Sequence, residues 1–233
     1  MARLPRLNLP DIPQHIVQRG NNRQACFVTK QDRIVYLEKL KEYSGKFEVA
    51  VHAFVLMTNH VHILATPHQG EGVSLMMQAL GRYYVRYFNK IHARTGTLWE
   101  GRFKSALVDT ENYFLTVSRY IELNPVRAKM VEAPAEYKWT SYHHNARGIR
   151  AKLITEHPCY LSLGCNDLNR QSAYRALFDS QLSRSKLDEI RSATNRAWVL
   201  GGEKFKRDIE IKSGVQIIFN SWGGNRWNVE ESC

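Results

Sequence analysis

Hydrophobic patterning predicts an α+β protein: a ferredoxin-like antiparallel sheet with its helices on one side, followed by a small helical C-terminal appendage. Three observations predict it. Up to Val108, apolar runs and helical patterns alternate in the order β-α-β-β-α-β. Between Phe47 and Thr66 two strand patterns are parted only by Thr58-Asn59, too short a connection for anything but antiparallel neighbours. Beyond Trp139-Thr140-Ser141-Tyr142 strand patterns stop and helical ones continue.

In chain order, residues 14–20 (Gln-His-Ile-Val-Gln-Arg-Gly) read as a strand ending in the Gly20-Asn21-Asn22 turn. Lys30–Tyr43 is helical, with Ile34, Val35, Leu37 and Leu40 on its apolar side. Phe47–Met57 and Val61–Thr66 are the paired strands. Val73–His92 is a long helix whose apolar face is Leu75, Met76, Ala79, Leu80, Tyr83, Tyr84 and Tyr87. Phe103–Val108 supplies a fourth strand. Glu111–Leu123 is a helix with Phe114, Leu115, Val117 and Ile121 at its core positions and Pro125 closing it. The division expected is a domain over 1–145 and a mostly helical extension over 146–233. In the extension, His143–Lys152 reads as a polar linker, and helical patterns cover Asn169–Ser180, Ser185–Arg196 and Glu203–Ile211. These form either a helix-turn-helix-like unit or an appendage packed on the first domain. The tail Ile217–Cys233 shows no period.

The chain has 233 residues and a net charge of +11. That charge is uneven: residues 1–150 hold 21 Lys and Arg against 12 Asp and Glu, residues 151–233 only 12 against 10. A basic surplus in the first part suits a polyanionic partner and salt-sensitive binding. No apolar run approaches the roughly 20 residues that cross a bilayer, and the N-terminus lacks the apolar core of a signal peptide. The cysteines Cys26, Cys159, Cys165 and Cys233 form no Cys-x-x-Cys pair and read as reduced thiols of a cytoplasmic protein.

The chemistry concentrates in two places. In Asn59-His60-Val61-His62 the histidines are two apart on a strand, so both imidazoles stand on one face with Val61 on the other. Two neutral imidazoles so placed are half of a divalent-metal site; taken alone, they are equally an ordinary strand pair. In Tyr120-Ile121-Glu122-Leu123-Asn124 the phenol and the carboxamide are four apart on one helix face. They suit a nucleophile beside an oxygen ligand, or else a surface tyrosine and a helix-capping asparagine. Tyr113, two turns earlier, has no Asn or Gln four residues on.

Taken together, His-apolar-His on a strand and Tyr-x-x-x-Asn-Pro on a later helix resemble the single-tyrosine HUH transposases, and more closely the REP-associated tyrosine transposases of bacteria. The similar stretches are HIVQRGNNRQACF (His15–Phe27), AFVLMTNHVHILATP (Ala53–Pro67), TGTLWEGRFKS (Thr95–Ser105) and RYIELNPVRAKMV (Arg119–Val131). The likeness spans roughly residues 1–145, weakens through Cys159–Phe178, and departs at Thr58, where relatives often have proline. It implies the HUH endonuclease fold. It implies that His60, His62 and Asn124 hold Mg²⁺ or Mn²⁺ over a scissile phosphate, and that Tyr120 attacks phosphorus to give a 5′-phosphotyrosine link and a free 3′-hydroxyl. The implied partner is single-stranded DNA with REP-like hairpins, and the REP-associated branch implies a monomer.

For DNA contact the candidates are Arg82, Arg86, Lys90 and Arg94, spaced four apart along the long helix. Arg102, Lys104 and Arg119 lie near the site in sequence, and Arg19 and Arg23 flank the first turn. Two other readings stay open on the residues: a non-catalytic nucleic-acid-binding protein on the same scaffold, and a metallohydrolase that uses bound water in place of tyrosine.

Overall fold

The computed structural model describes residues 7–217; the expectations for 218–233, Cys233 among them, lie outside the described residues. The strands are β1 (Gln14–Arg19), β2 (Val49–Leu56), β3 (His60–Pro67), β4 (Lys104–Val108) and β5 (Val199–Leu200). The longer helices are α1 (Lys30–Lys46), α2 (Gly72–Ile91), α3 (Phe114–Glu122), α7 (Asp167–Ala176), α8 (Arg184–Arg196) and α9 (Glu203–Ser213). One-turn helices are α4 (Asn124–Arg127), α5 (Tyr142–Asn145) and α6 (Pro158–Leu161). The sheet runs β2-β3-β1-β4-β5, its first four strands antiparallel in the ferredoxin-like order. The fifth, which sequence patterning missed because it is two residues long, pairs parallel to β4 and makes the sheet mixed.

Strand alternation sorts the core into two layers. Val61, Ile63 and Ala65 of β3 and Ile16 of β1 pack with α1 and α2, through Tyr36, Leu40, Met76, Leu80, Tyr84 and Phe88. Complete burial of Val61 and Ile63 contributes about 1.5–3 kcal/mol each. The opposite face is covered as well: Leu64, Ala106 and Val108 meet Val117, Tyr120 and Ile121 of α3 and Ile190 of α8. So the two ferredoxin helices do lie together on one side, and the tyrosine helix lies on the other. The β2–β3 register shifts between Val51 and Ala53. This bulge swaps the phase of β2, so that Val49 and Val51 join the first layer while Ala53, Val55 and Met57 join the second.

α1 begins on Thr29, whose hydroxyl accepts from Asp32 N–H while Asp32 accepts from Thr29 N–H. Its end at Lys46 takes Phe47 out of the expected strand. On α2, Leu75 is exposed and Phe88 fills the core position. The stretch read as a linker is folded: Asn145 of α5 is buried and donates to the carbonyl of His52 and to Glu122. Beyond β2, Leu56 N–H donates to Trp139 O and Ser141 N–H to Phe54 O, while Thr155 N–H donates to Val51 O. Among the described residues no helix is long and apolar enough to cross a membrane.

Candidate active site

β3 carries the histidines and is paired on both sides, with β1 register setting Val17 opposite His62 and Arg19 opposite His60. The approach at the start of β3 needs a glycine. Gly20 N–H donates to Asn59 O at 2.8 Å, and a Cβ there would meet Gln24 O at 2.3 Å. His60 and His62 share the face toward α3, their ring centroids 5.1 Å apart at 77°. His60 Nδ1 lies 2.6 Å from Asn59 Oδ1, an atom that only accepts, so Nδ1 carries the hydrogen and Nε2 is left with its lone pair.

A third histidine, absent from the sequence reading, completes the group. His15 of β1 is 1% exposed, its Nε2 2.9 Å from His62 Nδ1 and its Nδ1 2.8 Å from Thr194 Oγ1 on α8. Nothing in QHIVQR marks it except a strand position of the same parity as Arg19.

Tyr120 comes to this cluster from α3. Its ring lies 5.7 Å from His15 and 5.8 Å from His62, edge-on to both. Asn124 follows where the helix is interrupted: Pro125 has no N–H for the Ile121 carbonyl, and Asn124 Nδ2 donates there at 3.3 Å and to Tyr120 O at 3.1 Å. With its nitrogen so engaged, the amide keeps Oδ1 for another partner.

Arg127 was also missed, two turns past Tyr120. Its guanidinium carbon sits 4.2 Å from the Tyr120 ring centroid, and Nη2 donates to Tyr120 O at 2.7 Å. Buried Nη1 has no hydrogen-bond partner. Burial brings the guanidinium down to about 10, opposed by attraction to the Tyr120 phenol.

Burial also sets the histidines. His60 falls to about 4, with Arg19 adding to the effect, and His15 to about 3, with Arg127 adding. His62 is driven well below its ordinary value by burial first, then by His15, His60 and the two arginines. All three are neutral at physiological pH, as metal ligation requires. Among the described residues no three His, Cys, Asp or Glu side chains gather to hold a metal. The donor chemistry of His60 and His62, with the unengaged Oδ1 of Asn124 one turn past Tyr120, fits a hard divalent cation with open positions.

Tyr113 is occupied elsewhere. Its hydroxyl donates to Glu189 Oε1 at 2.6 Å and accepts from Lys186 Nζ at 2.8 Å. On α2, Tyr84 donates to Cys26 O and Tyr87 to Asp32, so both hydroxyls are committed to the core.

The basic residues divide between two surfaces. Arg19 is exposed beside the histidines, and Lys104 on the same face donates to Asn195. Arg82, Arg86 and Arg102 line an open cavity of about 830 Å³ with Gln18, Trp99 and Phe103, on the α2 side of the sheet. This cavity is therefore not the site of the histidines. Gln18 and Arg19 are consecutive, however, so the end of β1 joins the two surfaces. Lys90 is exposed farther along α2. Arg94 lies past the end of that helix, over Phe88 and bonded to Gln24, so the stripe ends at Lys90. Arg119 is bonded to Ser180 and lies against Phe178, and Arg23, at positive φ, is exposed in the first turn.

Among curated proteins none matches the chain. Of solved structures, the REP-associated tyrosine transposase bound to a REP hairpin is similar with a TM-score of 0.52 and 18% identity. That match covers 67% of this chain and 93% of the other, and the likeness is one of fold. A candidate transposase of Deinococcus radiodurans R1 is 19% identical over 52% of this chain and 96% of its own, with a TM-score of 0.37. The sequence pattern of IS200-like transposases matches residues 9–124, the stretch from β1 to the asparagine that follows the tyrosine helix. With His60, His62, Tyr120 and Asn124 all inside that match, the chain belongs to the IS200-like transposase family.

Proposed function

We propose that this chain is a metal-dependent endonuclease and strand transferase of the REP-associated kind, acting on single-stranded DNA with hairpin-forming palindromic repeats. One observation carries the reading: Tyr120 stands beside His62 on the face of the sheet that also presents His60. A nucleophile and half of a metal site thus converge from distant parts of the sequence.

In this reading His60, His62 and Asn124 hold Mg²⁺ or Mn²⁺. When bound, the cation supplies Lewis-acid polarisation of a non-bridging phosphate oxygen. The Tyr120 phenol attacks phosphorus, forming a bond to the 5′-phosphate as the bond to the 3′-oxygen breaks, and the 3′-hydroxyl leaves with a proton. A phenol with an ordinary pKa near 10 is seldom ionised at neutral pH. Arg127, fixed over the Tyr120 ring, is assigned to stabilise the negative charge that develops in the transition state. Attack by a 3′-hydroxyl on the phosphotyrosine reverses the step and joins strands without ATP.

Arg19 and Lys104 are assigned to the backbone next to the scissile phosphate. Arg82, Arg86, Lys90 and Arg102 are assigned to DNA that passes over the end of β1 to the α2 side. Arg23 and Arg94 are assigned to the same path, and Arg119 to holding α3 against the chain near Ser180. We assign residues 1–145 as the catalytic domain, the protein as a monomer and its location as the cytoplasm.

The test is incubation with end-labelled single-stranded hairpin oligonucleotides, with and without Mg²⁺, resolved on denaturing gels. A Mg²⁺-dependent protein–DNA adduct is expected. Cleavage without an adduct would favour a water nucleophile, and neither product would leave a DNA-binding protein only.

A further inference from the structure

Three hydrogen bonds run in line from the sheet into the C-terminal extension, and their polarity is forced from the far end. Thr194 Oγ1 lies 2.8 Å from the carbonyl oxygen of Ile190, which can only accept. The single hydroxyl hydrogen is spent there, so Oγ1 accepts from His15 Nδ1 at 2.8 Å. His15 is 1% exposed and none of its hydrogen-bond partners is acidic, so it is the neutral imidazole, with Nε2 bare. That nitrogen accepts from His62 Nδ1 at 2.9 Å. The two rings lie within 14° of one plane with centroids 5.1 Å apart, the spacing of imidazoles joined edge to edge through N–H···N. His62 is left with its Nε2 lone pair free. The same polarity holds at His60, by the separate bond to Asn59.

We propose that His15 and Thr194 are positioning residues that lock His62 in the Nδ1–H tautomer and so present Nε2 to the divalent cation. The proposal rests on the metal reading above and adds to it a role for the extension. Thr194 lies on α8, beyond the residues 9–124 matched by the family pattern, so a side chain outside that segment tunes a ligand within it. Partners of this outer kind fix ring orientation and tautomer at metal sites, and losing one typically costs 10–100-fold in metal affinity.

The experiment uses the full chain free of metal and DNA. Nitrogen-15 NMR of the histidine side chains reports the tautomer of His62 directly, and Mn²⁺ titration by electron paramagnetic resonance reports affinity. The wild type should show His62 with hydrogen on Nδ1. Thr194→Val keeps the shape and removes the hydroxyl; it should give His62 a mixed tautomer and weaken Mn²⁺ about tenfold. Thr194→Ser should restore both. A wild-type His62 with hydrogen on Nε2 overturns the proposal whether or not any variant folds. Wild-type Mn²⁺ affinity in a folded Thr194→Val protein overturns the relay alone. Absence of Mn²⁺ binding by the wild type overturns the metal reading and the relay's role with it.

Discussion

Glu122, two residues past Tyr120 on α3, is fully buried, and its carboxylate accepts three hydrogen bonds. Oε1 accepts from Ser141 Oγ at 2.6 Å and Asn145 Nδ2 at 3.0 Å, and Oε2 from Tyr174 Oη at 2.9 Å. Burial outweighs these bonds and raises the carboxyl from 4.5 to about 7. The native chain therefore holds a proton that the unfolded chain releases. The associated stability is complete below the unfolded value and is lost as pH rises through about 7. Between pH 5 and pH 8 that loss amounts to about 2–3 kcal/mol. Glu122→Gln carries no such charge: its oxygen can still accept from Ser141 and Asn145, and its amide can donate to Tyr174. Urea unfolding of both proteins at pH 5, 6, 7 and 8 measures the difference. The difference is needed because the buried histidines act oppositely. Their folded values are depressed, so their stability is present above about 6.5 and is lost as pH falls. The variant should gain on the wild type by about 2–3 kcal/mol from pH 5 to pH 8. A difference independent of pH would refute the argument that burial, and not the three donors, sets this carboxyl.

Tyr120→Phe should abolish the covalent adduct on denaturing gels and leave hairpin affinity nearly unchanged, since only a hydroxyl is removed; an adduct that persists moves the nucleophile elsewhere. His60→Ala and EDTA treatment of the wild type should each remove cleavage in the oligonucleotide assay, and full activity in EDTA would exclude the metal. Arg127→Met should slow adduct formation on the order of 100-fold. An unchanged rate would show that the guanidinium serves packing only. In binding assays, hairpins with a single-stranded flank should be preferred to duplex of the same sequence, with affinity falling steeply as salt rises. Arg86→Ala with Lys90→Ala should flatten the log–log salt slope by roughly 0.7–0.9 for each phosphate no longer neutralised; an unaltered slope would make this helix a solvated face.

The sequence made the sheet readable because its strands alternate over several residues and its turns are short. The face shared by His60 and His62 follows from strand period, and the closeness of Tyr120 to Asn124 follows from helix period. Neither needs tertiary information. His15 and Thr194 needed it, since their contacts depend on β1–β3 register and on where α8 docks, the two bonded side chains being 179 positions apart in sequence. Arg127 left a weaker trace, its separation from Tyr120 being two turns, but Pro125 between them argued for an end to the helix. The placement of the arginines on α2 could not be read either. Periodicity shows that Arg82, Arg86 and Lys90 share a stripe, yet only the packing shows that the stripe lies across the sheet from the tyrosine. The phase change at His52 was hidden for a related reason: Ala53–Met57 is apolar throughout, so neither face of the strand is marked after the bulge.

The two margins of the sheet carry a consequence for how the protein behaves when crowded. An open strand edge is a template onto which another chain can add, the first step of most fibrous aggregation. Here β2 is flanked by Trp139–Ser141 and by Thr155, which take up the Leu56 and Val51 main-chain groups and exchange a bond with Phe54. At the far side the last strand is only Val199–Leu200, too short to nucleate a ladder. Among the described residues, two copies that meet edge to edge find no run of free amides and carbonyls to zip together. The segments that follow α4 thereby shield from strand addition a sheet whose β2 is almost wholly apolar.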